Sequence, residues 1–234
     1  MTIITISRQY GSGGDEIAER VGEILGYPLF DKRMIFQAAR DSGISEQEIA
    51  DYSEESHKIQ GFLDRLFNRG TNTQVGRVWR EDASGARVME EVQLSENLLI
   101  ALVQKAVRSA SRTGRMIIVG RGGQAILAGE PGTIHVRIEA PMEERILRVK
   151  ELVRREKHLD NTDIDLRRVS QDRIVERDAA SADYLRRFYH VDWNEPMLYH
   201  MVINTGKVGV FQAAELIVTL TKEMEGTCNP LEMA

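Results

Sequence analysis

The feature that most constrains the fold of this chain is a glycine-rich turn between a β-branched segment and a helical one. Residues 3–6 read Ile-Ile-Thr-Ile, which suits a short strand buried on both faces. Residues 11–14 read Gly-Ser-Gly-Gly, and apolar residues then recur at helical spacing until Gly26. Such a turn exposes backbone N–H groups at the positive end of a helix, an arrangement that can bind phosphate. A tight turn without a ligand is the alternative.

The rest of the chain repeats this order of strand and helix. Further strand patterns cover residues 27–30, 116–119, 134–138 and 201–203. Further helical patterns cover residues 98–107, 146–153, 166–175 and 210–225. No two strand patterns lie close enough for a hairpin, so right-handed crossovers and a parallel sheet are expected. The sequence therefore predicts an α/β fold.

A second glycine-rich segment follows the strand pattern at 116–119. Residues 120–123 read Gly-Arg-Gly-Gly, and an arginine just beyond a parallel strand can bind a phosphate with both of its Nη groups. An arginine in a salt bridge at the sheet edge is the alternative. Ligands of such sheets bind at the carboxyl ends of the strands. We therefore expect residues 8–14 and 120–123 to share one edge, with Asp31 beside them.

Arginines flank a polar segment in the last third of the chain. Residues 145–157 are strongly basic, residues 156–165 are polar, and Arg177, Asp178 and Arg186 follow. Arginines on both sides of a mobile hairpin can close over phosphates that are being transferred. A solvated helix face explains the same charges. The aromatic residues between 184 and 199 are expected to pack rather than to stack on a base.

Composition excludes several classes of function. The formal net charge is −5, which argues against nucleic-acid binding through bulk charge. The single cysteine, Cys228, allows no internal disulfide, and the five histidines have no zinc-site spacing. No apolar run approaches the ~20 residues that span a bilayer, and residues 1–8 do not resemble a signal peptide. We expect a cytoplasmic protein that binds neither membrane nor nucleic acid.

The segment between the two glycine motifs is harder to interpret. Ser45 and Glu48 fit a capping box that would start a helix, whereas residues 70–92 have weak periodicity and are predicted to be irregular. The chain is therefore divided into a core of residues 1–40 and 114–234 and a helical insertion over 41–113.

These segments together resemble the cytidylate kinase-like family, a branch of the P-loop nucleoside monophosphate kinases. The resemblance is carried by residues 4–14, by Phe-Asp-Lys at 30–32 and by Val-Gly-Arg-Gly-Gly at 119–123. Residues 136–141, 184–189, 192–193 and 203–205 support it. It covers roughly residues 3–40 and 115–220.

The resemblance implies a five-stranded parallel sheet with helices on both faces, an acceptor-binding insertion and an arginine-bearing lid near 154–165. It implies transfer of the ATP γ-phosphoryl group to CMP or dCMP with Mg²⁺, by positioning and charge neutralisation. The implied donor-phosphate residues are Arg8, Gly11, Ser12, Gly13 and Gly14. The implied acceptor residues are Asp31, Lys32, Arg33 and Arg121. The catalytic candidates are Arg154, Arg155, Arg177, Asp178 and Arg186, and no metal ligand is identified.

Four positions depart from the family pattern. Gly14 replaces the P-loop lysine, Asp15 an arginine of this branch, Gly122 an aspartate and Ser181 an arginine. Position 14 is either a vacant cation site or a glycine needed for a left-handed backbone. The second hypothesis for function is therefore a nucleotide- or anion-binding protein of kinase fold that has lost turnover. Neither the base that is bound nor self-association follows from the sequence.

Overall fold

The structure is a computed structural model that describes residues 2–41, 75–81, 87–93, 96–157 and 163–227. Two compact units divide the chain: Met1–Phe30 with Ala110–Ala234, and Asp31–Ser109. Among the described residues, no helix is both long and apolar enough to cross a membrane.

A parallel sheet forms the centre of the first unit. Its strands are β1 (Ile3–Arg8), β4 (Met116–Val119), β5 (Thr133–Glu139) and β6 (Met201–Asn204), in the order β4-β1-β5-β6. In register, Ile4 of β1 lies beside Ile117 of β4 and Ile134 of β5. The predicted α/β fold with a parallel sheet is confirmed.

The expectation of five strands is wrong for the described residues, because the segment at 27–30 forms no strand. Leu29 makes one isolated parallel bridge to Ile117. The Phe30 N–H donates to the Ile117 carbonyl (2.8 Å), and the Ile117 N–H donates to the Pro28 carbonyl (3.0 Å). Because proline has no N–H, Pro28 can only accept, and the pairing does not extend.

Helices cover both faces of the sheet. On one face α1 (Gly14–Leu25) and α7 (Val210–Thr227) pack on alternate strand residues. Ile4, Ile6 and Ile17 are completely buried in that core. On the other face lies α4 (Gly123–Ile126), where a Cβ on Gly123 would meet the Thr5 side chain at 3.2 Å.

Two helices pack along an apolar seam after β5. They are α5 (Met142–Lys157) and α6 (Asp163–Tyr189), and their buried residues include Ile146, Val149 and Ile174. Helical structure extends further at both ends than the polar segment 156–165 suggested. The middle of the predicted lid, residues 158–162, lies outside the described residues.

The second unit contains both helix and strand. Its elements are α2 (Lys32–Arg40), β2 (Val75–Glu81), β3 (Arg87–Gln93) and most of α3 (Glu96–Thr113). The prediction of irregular structure over 70–92, and of no hairpin, is wrong, because β2 and β3 pair antiparallel. An insertion of helices alone is therefore not what the structure has. The predicted capping box at Ser45 lies outside the described residues.

Candidate active site

The first glycine loop (residues 11–14) joins β1 to α1. Gly11 and Gly13 have φ of 78° and 81°, values that glycine adopts without steric cost. The first helical hydrogen bond runs from the Ile17 N–H to the Gly13 carbonyl (3.0 Å). The N–H groups of residues 14–16 donate to no group in the part of the chain that the structure describes. Unpaired N–H groups at a helix N-terminus favour an anion.

A buried hydroxyl lies inside the same loop. Ser12 is completely buried, and its Oγ has no hydrogen-bond partner among the described residues. The Ser12 carbonyl, in contrast, accepts a hydrogen bond from Thr205 Oγ1 at 2.6 Å. The backbone of this loop is therefore fixed, while one polar side chain remains unsatisfied.

Helices α5 and α6 hold the first glycine loop from the other side. The Tyr10 N–H donates to Asp178 Oδ1 at 2.8 Å, and Asp178 also forms an ion pair with the buried Arg145. Arg148 Nη1 donates to the Gly11 carbonyl at 3.3 Å and to Thr205 Oγ1 at 3.0 Å. Two arginines of α5 thus lie beside the loop.

The second glycine loop (residues 120–123) follows β4 and adopts a left-handed turn. Gly120, Arg121 and Gly122 have φ of 67°, 56° and 71°. For arginine this conformation costs roughly 1–2 kcal/mol, and such strain is concentrated at functional sites. The Arg121 guanidinium lies 5.6 Å from the centroid of the Phe30 ring.

Tyrosines of α6 support this turn. The Tyr184 hydroxyl donates to the Arg121 carbonyl at 3.4 Å and lies 3.1 Å from the Tyr189 hydroxyl. Burial, followed by the proximity of Tyr189, raises the pKa of Tyr184 above its ordinary value. A Cβ on Gly122 would meet the Tyr189 ring at 2.9 Å. The aspartate that the family resemblance implies at this position would therefore fit poorly here.

The two glycine loops meet at the carboxyl edge of the sheet, as the sequence predicts. The Gly120 N–H donates to the Ile6 carbonyl at 2.9 Å. The Arg8 side chain contacts both loops: its Cβ lies 2.5 Å from where a Gly14 Cβ would be, and its Nη1 lies 2.6 Å from where a Gly120 Cβ would be. Arg8 Nε donates to Asp15 Oδ1 at 3.0 Å.

The sequence comparison decides the family. The model of the cytidylate kinase-like family matches residues 3–207. The chain belongs to the cytidylate kinase-like family. This confirms the resemblance and supports a kinase-like nucleotide-binding protein. None of the curated proteins matches the chain in sequence.

Of three solved structures that match this family member, the first shares its fold, and the other two have TM-scores below 0.5. An uncharacterized protein from Eubacterium ventriosum is 19% identical with a TM-score of 0.59, covering 95% of this chain and 99% of that one. Shikimate kinase from Acinetobacter baumannii, in complex with shikimate, is 13% identical with a TM-score of 0.43, covering 95% and 94%. Shikimate kinase from Bacteroides thetaiotaomicron is 10% identical with a TM-score of 0.47, covering 94% and 98%.

The catalytic candidates of this cytidylate kinase-like protein are spread along α5 and α6. Asp178 and Arg177 lie at the first glycine loop, where the Arg177 guanidinium is 5.7 Å from the Tyr10 ring centroid. Arg154 pairs with Glu151 on its own helix, and Arg155 is exposed.

Distance along the helix separates the lid arginines from the loop. Arg154 lies six residues beyond Arg148, or about 9 Å along the helix axis at ~1.5 Å per residue. Arg186 is exposed and pairs with Asp183 at 2.6 Å. In the described residues only part of the predicted catalytic set, Arg177 and Asp178, contacts the residues around the first glycine loop.

Three acceptor candidates belong to the second unit. Asp31 caps α2 by accepting hydrogen bonds from the Arg33 N–H (2.9 Å) and the Met34 N–H (3.3 Å). Burial raises the pKa of Asp31, but its bonds to Arg33 outweigh that effect, so the pKa lies below its usual value. Lys32 is the first residue of α2. The expectation that Asp31 lies beside the two loops stays a prediction.

A buried arginine that was not among the predicted site residues organises the aromatic segment. Arg137 of β5 is 1% exposed, pairs with Glu139 and lies 4.4 Å from the Trp193 ring centroid. Trp193 Nε1 donates to Ser7 Oγ at 2.7 Å. An arginine within a buried strand pattern was the available signal. The aromatic residues therefore pack, as expected.

The missed cation at the first glycine loop is Arg148. A position in a basic run is typical of a solvated residue, and the charge pattern of the run does not distinguish Arg148 from Arg154 or Arg155. Helical spacing could not have done so by itself: Arg145 and Arg148 are three residues apart and lie on one face, but Arg155, seven residues beyond Arg148, lies on that face too.

Proposed function

We propose that this protein is a phosphotransferase that moves the γ-phosphoryl group of ATP to a nucleoside monophosphate, with CMP or dCMP as the acceptor. One observation carries the proposal: the two glycine loops meet at the carboxyl edge of a parallel sheet, each beside an arginine. Ligands of open α/β sheets bind at that edge. The family match supports CMP or dCMP rather than another acceptor.

The donor phosphates would lie against the first glycine loop. The N–H groups of residues 14–16 are unpaired within the described chain and point from the positive end of α1. Arg148 adds a cation beside Gly11, and the Arg8 side chain lies beside Gly14. Phosphoryl transfer depends mainly on such positioning and charge neutralisation.

The acceptor phosphate would be bound by Arg121. Its left-handed backbone holds the side chain at the sheet edge, beside Phe30. Asp31, Lys32 and Arg33 are proposed to complete the acceptor site, and the insertion is proposed to carry the acceptor-binding role. Arg154, Arg155 and Arg186 are proposed to act from a lid near 154–165. Arg177 and Asp178 are proposed to act at its base.

Mg²⁺ is the metal that this chemistry requires, and the oxygen ligands near the first glycine loop fit it. At phosphoryl-transfer sites Mg²⁺ is held mainly by substrate phosphates and water, with one or two carboxylates. Asp15 offers an exposed carboxylate, of which Oδ1 accepts from Arg8 Nε and Oδ2 remains, whereas the unpartnered Ser12 hydroxyl is completely buried. The described residues contain no group of three or more His, Cys, Asp or Glu that could hold a metal by itself. When bound, Mg²⁺ neutralises charge on the transferring phosphates.

The test is ADP production from ATP and Mg²⁺ with a panel of monophosphates, compared with thermal shift by the same ligands. We expect turnover, fastest with CMP or dCMP. Binding of ATP without ADP production would favour the second candidate, a nucleotide-binding protein that has lost catalysis, which the absence of a lysine at position 14 suggests. No binding of any nucleotide would overturn both.

A further inference from the structure

The glycine at position 14 has a steric cause in the structure. A Cβ there would lie 2.5 Å from Arg8 Cβ and 2.8 Å from Arg8 Cγ. Gly14 is not among the residues with positive φ, so a left-handed backbone does not explain it. Position 14 is thus neither a vacant cation site nor a conformational requirement, because the Arg8 side chain fills the space.

Arg8 also reaches a second glycine. Its Nη1 lies 2.6 Å from where a Cβ of Gly120 would be, although the φ of 67° at Gly120 by itself favours glycine there. Gly14 and Gly120 are more than a hundred residues apart in sequence, yet the same arginine side chain passes both. The guanidinium therefore extends from the first glycine loop to the second.

We infer that Arg8 supplies, from the end of β1, the cation that a P-loop supplies with its lysine at position 14. This inference rests on the proposed function. In a P-loop the lysine follows the last glycine of the loop and reaches the terminal phosphates of the donor. Here an arginine side chain enters the same space from the neighbouring strand, and a lysine and Arg8 exclude each other.

Asp15 holds the guanidinium in position and leaves most of it available. It accepts from Arg8 Nε at 3.0 Å, and the two Nη groups donate to no residue that the structure describes. The pair is accessible, since the Arg8 side chain is 34% exposed and that of Asp15 is 72% exposed. An exposed ion pair is weak, so a polyphosphate can compete with it. Bidentate contact with phosphate is a property of arginine that lysine lacks.

A purely structural role for Arg8 predicts a different set of results. If Arg8 only fastens α1 to β1 through Asp15, its removal lowers stability and leaves ATP affinity unchanged. If Arg8 binds the donor phosphates, its removal lowers affinity for ATP and for inorganic tripolyphosphate alike, because both present the same charged chain.

The experiment compares Arg8→Gln and Arg8→Lys with Arg20→Gln, which removes one arginine charge from the exposed face of α1. Titration calorimetry measures binding of ATP with Mg²⁺ and of tripolyphosphate. We expect Arg8→Gln to weaken both by at least about tenfold, Arg8→Lys to weaken them less, and Arg20→Gln to have no effect. If the wild type binds ATP and folded Arg8→Gln binds it with unchanged affinity, the inference about Arg8 is wrong and the proposed function is not affected. A wild type that binds neither ligand overturns the proposed function instead.

A position swap tests the exclusion directly. Arg8→Gly removes the atoms that a Gly14 Cβ would meet, so Gly14→Lys can be introduced in that background. We expect the double variant to bind tripolyphosphate at least about tenfold more tightly than Arg8→Gly alone. Gly14→Lys in the wild-type background should lower the melting temperature without tightening binding. A folded double variant with no gain over Arg8→Gly would contradict the assignment of the lysine position to Arg8.

Discussion

The Asp178 carboxylate accepts a hydrogen bond from the Tyr10 N–H at 2.8 Å, although 168 positions separate them in sequence. Its other oxygen pairs with Arg145, whose side chain is 6% exposed. One carboxylate on α6 thus binds both the backbone that enters the first glycine loop and a buried cation of α5. The position of the loop depends on this carboxylate.

Asp178→Asn should destabilise the protein by about 3 kcal/mol, because it leaves the buried Arg145 guanidinium without its counter-charge. Urea unfolding measures the loss. Asp183→Asn is the matched control, since Asp183 is on the same helix and pairs with the exposed Arg186, and it should cost less than about 1 kcal/mol. Equal losses in the two variants would argue against a stabilising role of the contacts that Asp178 makes with Tyr10 and Arg145.

Arg121→Gly should be more stable than Arg121→Ala by about 1 kcal/mol, because glycine accepts a φ of 56° without strain. Both variants should weaken CMP binding, by roughly 1.5–3 kcal/mol, more than ATP binding. Arg115→Gly is the control: Arg115 also has a positive φ, of 50°, so the variant should gain stability and keep CMP affinity. Unchanged CMP affinity in folded Arg121→Ala would remove Arg121 from the acceptor site.

Gly122→Ala should destabilise the protein more than Gly129→Ala. Both glycines have left-handed φ, of 71° and 75°, so both variants incur the same backbone strain of roughly 1–2 kcal/mol. Only at Gly122 would the new Cβ meet a neighbour, the Tyr189 ring at 2.9 Å, while nothing lies within 4 Å at Gly129. Chemical denaturation should show the difference, and equal losses would mean that Tyr189 moves freely.

Stability should fall as pH decreases from about 6.5 toward 4, in part because of His135. Burial, followed by the proximity of His200, lowers the pKa of His135 from 6.5 to about 4. In that window the unfolded chain binds a proton that the folded chain does not, so stability rises with pH by at most ~1.4 kcal/mol per unit.

His135→Gln should reduce that slope, measured by urea unfolding at several pH values. His190→Asn is the control, since asparagine tolerates the φ of 57° at that exposed position. The same slope in wild type and His135→Gln would show that other groups cause the pH dependence.

Strands with a strong local pattern could be predicted, because a short run of apolar and β-branched residues is typical of a strand buried on both faces. Residues 3–6 and 116–119 are short apolar runs, and both form central strands. The pair β2 and β3 was missed, because charged residues interrupt its alternation, although Ser84-Gly85 between the two segments is a turn signal. The segment at 27–30 was overestimated, since Pro28 stops the pairing after a single bridge.

The candidate site, like the fold, could be predicted only in part. Both glycine loops could be placed at one edge because parallel strands end on the same side of a sheet. Which arginines reach that edge could not be predicted. Arg148 contacts Gly11, whereas Arg154, in the same basic run, pairs with Glu151. The sequence of a basic run does not show which of its side chains face the site until the helix is packed in the fold.

The sequence by itself determined the order of the four central strands and the two glycine turns, because periodicity and backbone freedom are local properties. Only the tertiary structure decided what the missing lysine means. Gly14 lacks a side chain because Arg8 occupies its space, and Arg8 reaches Gly120 only once β1 and β4 lie side by side. Steric exclusion between residues that are distant in sequence depends on their separation in space, and the pattern of residues along the chain does not show that separation.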